Sequence, residues 1–109
     1  MMSKHERVPK FLDNGESNRF VYESILEILS CIERLRKDKV VSHRMMDITT
    51  KIIDNQFDQI MEVASAHVAV DVKVYILDKI ENWIKEDEED DKFENCLNLQ
   101  KLSNILWKR

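Results

Sequence analysis

Residues 68–84, VAVDVKVYILDKIENWI, decide the fold. Val68, Val70, Val72, Val74 and Ile76 alternate strictly with other residues. Read alone, that is the period-two pattern of a strand, reinforced by β-branched side chains. Leu77, Ile80, Trp83 and Ile84 then continue at helical spacing, with no turn residue between the two patterns. Val74, Leu77 and Ile80 extend the 3.6-residue period back towards Asp71, a good helix cap. A lone strand would leave its backbone groups unpaired, and the chain has no second strand pattern to satisfy them. The reading that meets both constraints is a short connection over residues 67–70 and a helix over residues 71–86.

The segments on either side agree with it. Downstream, residues 86–91 are EDEEDD, six consecutive acids. They read as a solvated linker whose end opens the next helix, where negative charge suits the N-terminus. A docking strip for a basic partner is the sharper alternative. The run lacks the alternating ligands and loop glycine of an EF-hand. A helix then covers residues 92–107, with Phe93, Cys96 or Leu97, Leu99, Leu102, Ile105 and Leu106 as its apolar positions.

Upstream, a helix over residues 42–66 starts at the cap Ser42 and carries Ile48, Ile52, Ile53, Phe57, Ile60, Met61 and Ala64 as its stripe. Asp54, Asp58 and Glu62 repeat every four residues as an acidic ridge, and Asn55 is a candidate break. The clearest helix spans residues 17–37, where Val21, Ile25, Ile28, Leu29, Ile32 and Leu35 recur at steps of three and four. Glu33 and Lys37 form an i,i+4 pair in the favourable order. Residues 1–15 hold the chain's single proline and single glycine, Pro9 and Gly15, and read as a flexible basic arm. The expectation is therefore an all-α, single-domain bundle of four to five amphipathic helices over residues 16–109.

Composition narrows the classes. The 109 residues are 43% hydrophobic and 35% charged, enough for one packed core under a well-solvated surface. Absence of glycine and proline after Gly15 argues against collagen-like, hairpin-rich and glycine-loop nucleotide-binding proteins. Net charge is −4, unevenly distributed: residues 1–55 carry 10 bases and 9 acids, residues 56–109 carry 7 and 12. Nucleic-acid binders usually concentrate basic charge, so that function is the minority reading. Cys31 and Cys96 are too few for a disulfide scaffold and read as free thiols in a reducing compartment. The start lacks the apolar core of a secretory signal, and no apolar run approaches the ~20 residues of a membrane span. A cytoplasmic or nuclear location is the expectation.

Little chemistry is written in the chain. His5, His43 and His67 are more than a helical turn apart, no cysteine pair has zinc-knuckle spacing, and no glycine fingerprint for phosphate is present. His67 and Asp71, four residues apart, have the spacing of a two-ligand helix face, but the favoured reading of His67 is an ordinary polar residue near a helix junction. A cysteine nucleophile would need a neighbouring histidine and donors for an oxyanion, and turns that supply such donors are missing after Gly15. No enzyme activity, cofactor or metal is expected.

Asp71, Val72 and Lys73, followed by Ile76 and Leu77, are similar to the second helix of a HEAT-type helical repeat, with lysine where arginine is usual. The resemblance covers about fifteen residues. It implies superhelical packing and protein binding, and it assigns no binding residue.

Function is therefore expected on helix faces: a non-enzymatic adaptor, regulatory or assembly module. Its partner would be another protein or a second copy of itself. The candidate contacts are Met45, Met46, Tyr75, Trp83 and Trp107, residue types that favour interfaces. Adjacent Met45 and Met46 cannot face the same way, so one of them is expected to be exposed or at a contact. The alternative is a nucleic-acid-associated domain using Lys4, Arg7 and Lys10 of the arm with Arg34, Arg36, Lys37 and Lys39.

Overall fold

In a computed structural model, which describes residues 16–38 and 40–109, four helices follow one another through short connections. They are α1 (Glu16–Lys37), α2 (His43–Val63), α3 (Ala66–Glu89) and α4 (Phe93–Trp107). No strand occurs among the described residues. The arm at residues 1–15 and Lys39 lie outside them.

The connections are set by local chemistry. Ser42 and Ser65 adopt extended backbone and each caps the helix that follows. Their hydroxyls accept the N–H of Met45 and of Val68, both at 3.2 Å. Ser65 is the cap that moves the start of α3. With a hydroxyl already satisfying the first turn, the helix begins at Ala66, and the expected connection over residues 67–70 does not exist. Asp71 is not a cap. It lies in the second turn of α3, 3.8 Å from His67 on the same face, and this removes the helix-start position on which the HEAT resemblance rested. Asn55 does not break α2.

The acidic run corrects a second expectation. α3 continues through residues 86–89 instead of ending in a linker. It closes in a Schellman arrangement: Lys92 N–H donates to the Asp87 carbonyl at 2.7 Å and Asp91 N–H to the Glu88 carbonyl at 3.1 Å. Asp91 takes the left-handed position with φ 59°, where glycine is usual and aspartate is among the few tolerated substitutes. The short loop therefore needs no glycine.

The helices pair as two hairpins, α1 with α2 and α3 with α4. A core runs between the hairpins, built from Val21, Ile25, Ile28, Ile32 and Leu35 of α1, Ile53, Phe57 and Ile60 of α2, Val72, Ile76 and Ile80 of α3, and Leu99, Leu102 and Leu106 of α4. On α1 five of the six stripe residues are buried, Leu29 is half-buried, and Ser24 and Cys31 are buried beside them. On α2, Ile48 and Met61 are exposed and Thr49 takes a buried place. On α4, Phe93 and Leu97 face outward.

Two arginines tie the hairpins together. At the end of α1, Arg36 donates from Nε and Nη2 to the two carboxylate oxygens of Asp87, at 3.0 and 2.8 Å, and from Nη2 to Glu86 at 3.3 Å. Its backbone carbonyl accepts from Asn95 at 3.0 Å, and its guanidinium lies 5.2 Å from the centre of the Trp83 ring. Asp87 is only 1% exposed, a carboxylate inside the acidic run that is fully withdrawn from water. The Asp87 hydrogen bonds hold the Arg36 guanidinium still more firmly protonated than usual. At the end of α4, Arg109 pairs with Asp54 at 2.8 Å and with Asp58, and its guanidinium lies 5.2 Å from the centre of the Phe57 ring.

A candidate docking face on α3 and α4

The valine alternation has a structural cause. Two residues along a helix turn about 200°, so alternate positions fall on opposite sides. Val72, Ile76 and Ile80 lie on the core side, with Val72 fully buried. Val70 and Val74 point away from the core, and Val74 is 53% exposed. α3 is thus apolar on two faces, and their sum imitates a strand.

The outer face of α3 continues across to α4. A groove of about 540 Å³ lies between them, with Val74, Leu77, Ile84 and Trp107 as its apolar lining and Gln100, Ser103 and Asn104 on the α4 side. Trp107 is 66% exposed, and Lys73 of α3 stands 5.9 Å from its ring centre, so the indole leans over α3 without being covered. Leu97 follows the same α4 stripe, three residues before Gln100, and is also exposed. Asp78, Glu81, Lys85 and Glu88 line the α3 side. None of these four makes an ion pair among the described residues, whereas Arg36 and Arg109 are fully engaged. The groove is therefore greasy along its floor and acidic along one edge.

The five residues proposed from sequence do not converge. Trp107 lies on the groove. Trp83 is half-buried beneath Arg36, and Tyr75 is half-buried against the core with Lys79 6.0 Å from its ring centre. Met45 and Met46 are both half-buried against the core. Met45 lines a small cleft with Cys31, Leu35, Ile48 and Ile52, while Met46 lines a shallow hollow with His43 and Thr50. Of the basic set, Arg34 and Lys37 are exposed at the end of α1, and Arg36 is committed to Asp87 and Glu86. Lys4, Arg7, Lys10 and Lys39 lie outside the described residues. Sequence reasoning missed Val70, Val74 and Leu97 as surface residues. For Val70 and Val74 the signal that could have found them was the strand-like alternation itself.

Both thiols are free. Burial pushes the Cys31 thiol up to about 11, and burial also raises Cys96, whose Sγ donates to the Ile84 carbonyl at 3.5 Å. Neither is an activated thiolate. Among the described residues no cluster of ligands could hold a metal ion, and no helix is long and apolar enough to cross a membrane.

No family model matches the chain, and neither a curated protein nor a solved structure matches it.

Proposed function

We propose that this protein is a non-enzymatic interaction module, an adaptor, regulatory subunit or assembly domain, and that the outer face of α3 and α4 is where it meets another protein. Its amphipathic helices would hold one face inward as scaffold while this pair presents a second apolar face to a partner. The observation that carries the reading is the placement of Val70, Val74, Leu97 and Trp107 in water on two adjacent helices, although the core has its own complete set. Scattered exposed apolar residues are ordinary, but apolar residues on two adjacent helices beside a groove that an exposed tryptophan lines have the composition of an interface core. No cofactor enters this proposal.

Site-specific photo-crosslinking in the cells that express the protein tests it. A photoreactive residue at position 74 or 97 should capture one discrete partner protein. The same residue at position 61, equally exposed but on α2, should not. Equal capture from all three positions, or from position 61 alone, would overturn the assignment of the face.

A further inference from the structure

Resting on that docking face, we propose that the groove takes a single helix of a partner protein, apolar on one side and rich in lysine or arginine on the other. Three features of the groove select this occupant.

The first is the backbone. Both walls are helices, whose N–H and C=O groups are satisfied internally, and no strand edge exists among the described residues. The groove therefore offers a partner no ladder of main-chain hydrogen bonds. A segment that enters it must satisfy its own backbone, which a helix does and an extended peptide does not. From Val74 to Glu88 the α3 wall runs about 21 Å, long enough to seat about four turns of a second helix.

The second is charge. Asp78, Glu81 and Glu88 stand along one edge with Lys85 among them, Lys73 lies beside Trp107, and the residues lining the α4 edge are neutral. Carboxylates that make no ion pair are available to lysines or arginines on an incoming helix. Charge at a rim mainly sets which partner binds and how fast, while the apolar floor holds it.

The third disfavours a second copy seated through this same face. Symmetric pairing would gather the acids of both grooves in one interface, and where α3 meets α3 it would set them directly opposite, a like-charge juxtaposition that opposes association. The hairpin that builds the groove, residues 66–107, carries 5 bases against 10 acids, so the repulsion has little nearby compensation.

The test uses the full chain and three designed helical peptides of about 18 residues, each with the same leucine stripe. One has lysine on its polar side, one glutamate and one glutamine. Nitrogen–proton NMR spectra of the protein, with its two indole signals resolved, report the contact. The lysine peptide should move the Trp107 indole and the backbone signals of Val74 and Leu77. It should bind at least about tenfold tighter than the glutamine peptide, and weaken as salt rises from about 50 to about 300 mM. The glutamate peptide should not bind. Asp78→Lys with Glu81→Lys should cost the lysine peptide about tenfold in affinity and improve the glutamate peptide, whereas Glu62→Lys on α2 should change neither. Equal binding of the lysine and glutamine peptides at the groove would overturn the basic partner and leave the docking face standing. Lysine-peptide shifts spread over α2 and independent of Asp78 and Glu81 would overturn the inference. An indole shift that grows with protein concentration alone would show a second copy as the occupant and overturn it as well. Absence of groove shifts with every peptide would sink both the inference and the face.

Discussion

Asp87 is one of six adjacent acids and the only one withdrawn from water. Its bidentate pair with Arg36 joins the ends of α1 and α3, and Trp83 screens it from one side. Such a pair is costly to break and cheap to replace, because removing one partner strands a buried charge while removing both does not. Asp87→Asn should lower unfolding stability by about 3 kcal/mol in a denaturant titration, and Arg36→Met with Asp87→Leu should recover most of that loss. If the single and double variants lose the same amount, the pair is not what joins these helix ends. Cys31 gives a second residue-scale expectation. Its thiol is raised from 9.0 to about 11 by burial, so the folded protein holds that proton more tightly than the unfolded chain does. The stability linked to it is complete below pH 9 and is lost as pH rises from 9 towards about 11. Cys31→Ala should flatten the fall in melting temperature across that window, and alkylation of Cys31 should be slow at neutral pH until denaturant is added.

At the scale of the element, α3 carries the argument. Val72 and Val74 are two residues apart, chemically identical and on opposite sides of one helix. Val72→Ala removes two buried methyl groups and should cost about 2 kcal/mol, whereas Val74→Ala should stay within about 0.5 kcal/mol of the parent. Equal losses in the melting curves would mean that Val74 is also covered. The helices themselves were legible in the sequence: the α1 stripe, the Ser42 cap and the ends of α1 and α4 follow from spacing and capping chemistry. The α3 start was not, because Ser65 competes with Asp71 and only the backbone geometry decides between two good caps. The outward turn of Phe93 and Leu97 was hidden too, since α4 is apolar nearly all round and its period does not say which side meets the core. Trp107 was legible as a contact candidate from its chemistry. Its neighbours in the groove were not, because they come from another helix, and their arrangement depends on how α3 and α4 pack.

The described residues together measure 41 × 29 × 19 Å, with a radius of gyration of 14.1 Å. The short dimension is about two helix diameters, so each helix has one side on the core and one on solvent. On α1 the solvent side is mostly charged, with Arg19, Glu23, Glu27, Glu33 and Arg34 exposed beside Phe20 and Leu26. On α3 and α4 it carries valine, leucine and tryptophan beside unpaired carboxylates. Exposed apolar residues occur on both hairpins, Ile48, Met61 and Val63 on the first among them, and what sets the proposed docking surface apart is the groove with Trp107 beside it. The most direct measurement of this two-sided packing is methyl NMR of the free protein with a soluble paramagnetic co-solute. The methyl signals of Val70, Val74 and Leu97 should broaden strongly while those of Val72, Ile76 and Leu102 stay sharp. Equal broadening of Val72 and Val74, or protection of both in the isolated chain, would contradict the account.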